Sequence, residues 1–368
     1  MSESKPLRIV HTEASLGWGG QEIRILTESA GMIARGHDVR LLCPPQARIF
    51  TEAGTFGVPV EALPIGRKNL SGVLAMRRWL ARHRVDVLNT HSSTDSWLCA
   101  LAATTLSGAP PIVRTRHISP PIRNNAATRW LYQRATTRIV TTGERLRENL
   151  IRDNGYDASR IVSVPTGIDS GRFTPGDRNT ARAQLGLPAD VPIVGIVATL
   201  RSWKGHLYLI EALTKLRDPR VQLVIVGNGP MLQALKADVA ARGLDARVRF
   251  AGNQNDVLPW LRAVDVFALP SYANEGVPQA IVQAMLVGLP IVTTPVGSIT
   301  EAVSHEASGL IVPPRDAGAL ADAITRLLAD AALRTRLGDE ARRQAAARFS
   351  FESMLDRMEA VFRQAANG

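Results

Sequence analysis

Short apolar runs alternate with longer stretches of helical period along most of the chain. Leu7–His11 reads as a first strand, Gly20–Ala34 as a helix with an apolar stripe, and Asp38–Cys43 as a second strand. Val85–Thr90, Pro111–Thr115 and Arg138–Thr142 are further predicted strands, each followed by a helical pattern, and Arg160–Pro165 closes this half. The Gly- and Pro-rich stretch Val164–Asp177 then reads as a β-rich break. The alternation restarts beyond it, with strands predicted at Pro192–Val197, Val221–Val226, Arg247–Gly252, Asp265–Leu269, Pro290–Thr294 and Gly309–Val312. Past Asp316 the pattern is helical to the end. Strands alternating with helices imply parallel, doubly wound sheets. Two such runs around one break predict an α/β protein of two Rossmann-like domains facing a cleft. Ligands are expected at the carboxyl ends of the strands.

The length of 368 residues agrees with two domains. An apolar content of 45% with 21% charged residues fits a soluble globular protein and excludes a disordered or fibrous one. Aromatic residues make up only 5%, which argues against a stacking platform for single strands. No helix-turn-helix, finger or RNP-like pattern is present, so no nucleic-acid partner is expected. The net charge of +11 is unevenly placed. Residues 1–175 carry 23 basic and 14 acidic side chains, against 21 and 19 in residues 176–368. One face of the N-terminal half is therefore expected to meet something anionic. Met76–Arg84 is basic with apolar residues at helical spacing, and suits either an anionic membrane surface or a solvated face. Cys43 and Cys99 lack metal-site or redox spacing and read as buried thiols of a reducing compartment. No apolar stretch precedes the first strand, so no signal peptide is expected and a cytoplasmic location follows. Gly276–Thr300 has no charged residue, but Pro278, Gly288, Pro290 and Pro295 break it into a helix, a turn and a buried strand.

Several strand-to-helix loops carry candidate chemistry. In Glu13–Glu22 the glycines Gly17, Gly19 and Gly20 let backbone approach a ligand at a helix N-terminus, although the spacing is not that of a dinucleotide fingerprint. Arg201 and Lys204, in RSWKGH, suit a phosphate group; a solvated turn is the plainer alternative. Gly229 lies in a second glycine turn, GNGP, for which a purely structural reading is stronger. Glu275, Gly276, Val277 and Pro278 stand at the start of a predicted helix, and Gln283 lies about two turns into it. Glu275 either faces a ligand or caps that helix. His91 and His117 follow adjacent predicted strands, where cleft-lining residues occur in this architecture. There is no D-x-D pair and no His/Cys ligand cluster in the sequence, so no metal is expected.

Taken together, Tyr272–Pro290, RSWKGH and VPTGID resemble family-four, group 1 retaining glycosyltransferases of the GT-B fold, and the resemblance covers nearly the whole chain. Gly19, Gly20 and Glu22 match the family's GG-x-E loop. His91 matches the second histidine of its H-x-H-S segment, with Asn89 in place of the first. His117 matches the histidine near the donor sugar, and Thr166–Asp169 is similar to the interdomain N-G-V-D. Lys204 and Gly205 match the K-G of the donor-phosphate motif. Glu275 matches the first acid of E-x(7)-E, and Ala284-Met285 match the A-M that follows the second. Phe349–Phe362 looks like the helix that crosses back to the first domain. The chain departs from the family at Gln283, which replaces the second acid, and at Ala198-Thr199-Leu200, which replaces G-R-L.

The resemblance implies an N-terminal acceptor-side domain over residues 1–170, a nucleotide-sugar domain over 171–348 and a returning helix over 349–368. It implies transfer of a sugar from a nucleotide-diphosphate sugar, used as co-substrate without a metal cofactor, to a glycan or lipid-linked acceptor of the lipopolysaccharide type. Glu275, Lys204, Arg201 and His117 are then the expected catalytic residues. Gly19, Gly20, Gly229, Gly276, Val277, Pro278 and Gln283 are the expected donor-binding ones, and His91 an acceptor-side contact. Peripheral association with the inner face of an anionic membrane is expected. The alternatives are a nucleotide-sugar epimerase or hydrolase on the same fold, and a non-catalytic sugar-nucleotide-binding protein.

Overall fold

The structure is a computed structural model describing residues 5–117, 120–273 and 275–368. The chain divides into two compact units. The first runs through Pro165 and takes back Glu352–Gly368; the second is Thr166–Phe351.

The first unit holds strands β1 (Arg8–Thr12), β2 (Asp38–Cys43), β3 (Val60–Ala62), β4 (Val87–Thr90), β5 (Ile112–Arg116), β6 (Arg138–Thr141) and β7 (Ile161–Ser163). They form one sheet in the order β3-β2-β1-β4-β5-β6-β7. The second unit holds β8 (Ile193–Val197), β9 (Gln222–Val226), β10 (Val248–Gly252), β11 (Val266–Leu269), β12 (Ile291–Thr293) and β13 (Leu310–Ile311), in the order β10-β9-β8-β11-β12-β13. All ladders are parallel, as helical crossovers require. The strand order reverses between β1 and β4 in one unit and between β8 and β11 in the other. These switch points are where the crossovers diverge and open a crevice.

β8 and β11, the strands beside the second unit's switch point, are apolar on both faces because helices cover both. Ile193, Val194 and Ile196 of β8 and every residue of β11 are buried. Helix Phe351–Asn367 returns to the first unit and buries Met354, Leu355, Met358, Val361 and Phe362. Arg35 fastens it by ion pairs to Glu352 (2.7 Å), Asp356 (2.8 Å) and Glu359 (3.2 Å).

Two sequence expectations are corrected. β3 is absent from the predicted strands: three residues between Pro59 and Pro64 are too short to show a period. The stretch 164–177 is not β-rich; it holds only an isolated bridge between Ile168 and Ser350. The uncharged stretch after Gly276 resolves into helix Gln279–Val287, a turn at Gly288 and the buried strand β12. Cys43 and Cys99 are both buried. Among the described residues no helix is long and apolar enough to cross a membrane.

Candidate active site

In the second unit the chemistry collects at the β8/β11 switch point. After β8 the chain makes a short 3-10 turn, Ser202–Lys204, before helix His206–Lys215. After β11 it runs to helix Gln279–Val287. A backbone bond from Tyr272 N–H to Trp203 C=O (2.8 Å) ties these loops together. That tie brings Lys204 onto Glu275, 71 residues later. Lys204 Nζ donates to both carboxylate oxygens at 2.7 and 3.0 Å, and Ser271 Oγ donates to Oε1 at 2.6 Å. Glu275 is only 4% exposed, so its charge is held by these donors rather than by water.

An ammonium has three N–H groups. Two reach Glu275, leaving one for a further acceptor such as a phosphate oxygen. Arg201 is exposed, with its guanidinium 5.8 Å from the centre of the Trp203 ring. Burial pushes the adjacent His206 down to about 3, with the Lys204 charge adding to the effect, so its imidazole is neutral. Gly276, Val277 and Pro278 are buried and lead into helix Gln279–Val287 with Pro278 extended at the cap. Pro278 C=O accepts from Ile281 N–H (3.1 Å) and Val282 N–H (3.3 Å), and the positive end of the helix dipole lies at this start. Gln283 is half-buried one turn beyond Gln279.

GNGP has a packing explanation. A Cβ on Gly229 would sit 2.7 Å from the Leu200 carbonyl oxygen, and Leu200 N–H bonds Asn228 C=O at 3.0 Å. Only glycine lets the β9 loop lie this close to the β8 loop, and the Ala198–Leu200 segment is fixed by that contact.

In the first unit the β1/β4 switch point carries a buried polar cluster. His11 lies in β1, His91 follows β4 and His117 follows β5, three neighbouring strands. His11 Nδ1 lies 2.9 Å from His91 Nε2, and His91 Nδ1 lies 2.9 Å from His117 Nε2. Both ring nitrogens of His91 are thus engaged, which leaves it none for an acceptor. Burial holds all three imidazoles in the neutral form; His11 is pushed down to about 3, with Arg24 adding to the effect. His11 had no sequence signal: it is one polar residue in an apolar strand, and its partners come 80 and 106 residues later.

Asp95 anchors this cluster. It accepts from His91 N–H (2.8 Å), Ser92 N–H (2.8 Å) and Thr12 Oγ1 (2.8 Å) and closes a capping box with Ser92 on helix Ser93–Ala103. Gly19 is the extended cap residue of helix Gly20–Ala34. The loop before it is braced by Glu13, which accepts from Ser15 N–H at 2.7 Å and from the Gln21 side chain. Burial, with the charges of Asp95 and Glu22, raises the Glu13 carboxyl well above its ordinary range. Sequence reasoning missed Glu13 and Asp95 as supports: a lone acid beside a glycine loop reads as solvated, and an acid in a first helical turn reads as a cap. Among the described residues no group of three or more His, Cys, Asp or Glu side chains is placed to hold a metal.

Residues 18–172 match the family described as Glycosyltransferase Family 4, and residues 177–344 match Glycosyl transferases group 1. D-inositol 3-phosphate glycosyltransferase of Mycobacterium tuberculosis is 33% identical over 296 residues, which is 78% of this chain and 59% of that protein. Anabaena HepE, solved in complex with UDP-glucose, superposes with a TM-score of 0.87 at 23% identity, covering 97% of this chain and 100% of that one. WaaG, a glycosyltransferase involved in lipopolysaccharide biosynthesis, superposes with a TM-score of 0.74 at 16% identity, covering 96% and 99%. The two matched regions account for both units, and the chain belongs to the group 1, family 4 glycosyltransferases of the GT-B fold.

Proposed function

We propose that this chain transfers a sugar from a nucleotide-diphosphate sugar to a glycan or lipid-linked acceptor, with retention at the anomeric carbon and without a metal. The observation that carries the reading is the Lys204–Glu275 pair at the β8/β11 switch point. The hard step is departure of the nucleoside diphosphate, whose developing charge must be met by preorganised donors. The third N–H of Lys204, the Arg201 guanidinium and the positive end of the dipole of helix Gln279–Val287 are proposed to meet it. Glu275, pinned by Lys204 and Ser271, accepts from hydroxyls of the donor sugar and orients the reacting carbon. Gln283 takes the ribose: its amide accepts from one hydroxyl and places no negative charge near the diphosphate. Gly276 and Val277 contribute backbone, while Gly229 acts by shaping the loop. In the first unit, His117 and the Gly19–Gly20 loop are assigned to the donor.

Two measurements test this. UDP-, GDP-, ADP- and CMP-sugars are screened by thermal shift, where a bound donor at a hundredfold excess over Kd adds about 2.7 kcal/mol of stability. Turnover of the stabilising donor is then measured in excess chelator, with product configuration read by NMR. Transfer is expected to continue in chelator. Loss of turnover restored by Mn²⁺ or Mg²⁺ overturns the metal-free reading, and an inverted product overturns retention.

The acceptor class is supported by one face of the first unit. Helix Leu70–Arg82 leaves Leu70 72% and Leu74 38% exposed, one turn apart, beside exposed Arg77, Arg78 and Arg82; Arg84 follows. Leucines that enter the headgroup region and arginines that meet anionic lipid are the two parts of an interfacial helix. Each arginine near the surface contributes on the order of 1 kcal/mol. We expect co-sedimentation with phosphatidylglycerol vesicles at low salt, falling steeply as salt rises. Leu70→Ser/Leu74→Ser should weaken binding at every salt concentration. No binding at low salt removes the membrane from the proposal.

A further inference from the structure

An imidazole that is neutral has one N–H and one lone pair. A bond between two ring nitrogens therefore needs one of each, and His91, bonded on both sides, must donate in one direction and accept in the other. The tautomers of His11, His91 and His117 are consequently locked to one another, and only the direction remains to be set.

Asn89 sets it. Asn89 stands on β4 where the family pattern has a histidine, and both its side-chain ends are used. Thr115 Oγ1 lies 2.9 Å from Asn89 Oδ1, and Asn89 Nδ2 lies 3.5 Å from His11 Nδ1. Thr115 is fully buried, and among the described residues Asn89 Oδ1 is the acceptor its hydroxyl reaches. With the hydroxyl donating, the amide turns its N–H toward His11 Nδ1, which must then carry a lone pair. The His11 proton sits on Nε2, which is buried and has no partner among the described residues, and so is one orphan donor. In the opposite direction an unflipped amide sets its N–H against the His11 Nδ1 proton, and a flipped one strands the Thr115 hydroxyl proton; in both cases the His11 Nε2 lone pair is also unmet, two orphans instead of one.

With His11 Nδ1 accepting, His91 donates from Nε2 and accepts at Nδ1, and His117 donates from Nε2. We infer that Asn89, His11 and His91 are positioning residues that hold His117 in its Nε2–H tautomer, so that His117 offers an Nδ1 lone pair to its ligand. A lone pair selects a hydroxyl of the sugar over a phosphate oxygen, which has no proton to give. The inference rests on the proposed assignment of His117 to the donor; the tautomer itself does not.

The experiment uses the full chain labelled with [¹⁵N]histidine at neutral pH. Two-bond ¹H–¹⁵N correlation distinguishes a protonated ring nitrogen from a bare one, and the His117 signals are assigned by their loss in His117→Gln. We expect His117 with bare Nδ1 and protonated Nε2 in the wild-type protein, a readout that needs no variant to fold. A protonated Nδ1 overturns the inference. In Asn89→Leu the direction is no longer set, so the His117 signals should shift toward a tautomer mixture. Its kcat should fall by about tenfold or more while donor KM stays within about threefold, the signature of a misdirected proton rather than a lost contact. An unchanged spectrum in Asn89→Leu overturns the role of Asn89, and unchanged kcat with a shifted spectrum overturns the link to turnover. If the wild-type protein transfers no sugar while the spectrum stands, the functional assignment fails and the tautomer chain does not.

Discussion

Lys204→Met is expected to cost about 3 kcal/mol of stability and at least about a hundredfold in turnover. The variant keeps the aliphatic length of the side chain and removes its charge. Glu275, 4% exposed, then retains only the Ser271 hydroxyl of the two side-chain donors seen on it. An unpaired carboxylate at such burial is strongly destabilising. The Lys204 side chain is itself 18% exposed, which places the loss at the lower end of the range for broken buried pairs. In a unit of this size the melting temperature should fall by roughly 6–12 °C. The double variant Lys204→Met/Glu275→Gln separates the two consequences. A neutral amide needs no cation, so stability should return to within about 1 kcal/mol of wild type. Activity should not return, because both the diphosphate donor and the sugar-orienting carboxylate are gone. A wild-type melting temperature for Lys204→Met would show that the pair contributes nothing to the fold. Near-normal turnover would remove Lys204 from the diphosphate.

The alternation of strands and helices is legible because a doubly wound unit buries its central strands on both faces. Ile193–Val197 and Val266–Leu269 stand out as apolar runs for that reason. The loops after those strands are legible as candidate sites because glycine, cations and an acid occur where the fold exposes backbone. What the sequence hides is pairing across the sheet. Lys204 and Glu275 meet because β8 and β11 are hydrogen-bonded neighbours, although one intervening βαβ passage separates them in the chain. His11 meets His91 for the same reason at β1 and β4. A spacing rule sees neither, since the distance between partners is set by strand order and not by a local period. Asn89 is the instructive position. Against the family pattern it reads as a loss, a histidine replaced by an amide. In the structure it lies between Thr115 and His11 with complementary ends toward each. β3 was invisible for a simpler reason: three residues between prolines carry no period at all.

Gly297→Ala should cost about 2–4 kcal/mol and at least about a hundredfold in turnover, without touching any side chain of the site. Gly297 lies between β12 and the short helix Ile299–Ala302, with φ of +57°. A Cβ there would stand 2.1 Å from the Glu275 carbonyl oxygen, 2.8 Å from its carbonyl carbon and 3.1 Å from its Cα. All three obstacles are backbone, so no side-chain rotation relieves them. Alanine in the left-handed region costs about 1–2 kcal/mol by itself. The remainder of the expected loss is displacement of the chain at Glu275, whose carbonyl also accepts a long bond from Ser298 N–H at 3.4 Å. Moving the Glu275 backbone by about 1 Å carries its carboxylate off Lys204 and off the sugar it is proposed to orient, and misplacement of that size costs about a hundredfold. Gly243→Ala is the control. Gly243 also has positive φ, +65°, but a Cβ on it meets nothing within 4 Å. It should show the conformational cost alone, about 1–2 kcal/mol, with turnover unchanged. Donor titration and initial rates on the two variants compare a clash behind Glu275 with the same strain elsewhere in the unit. If Gly297→Ala turns over as fast as Gly243→Ala, the position of the Glu275 backbone does not limit the reaction, and the orienting role assigned to that carboxylate falls with it.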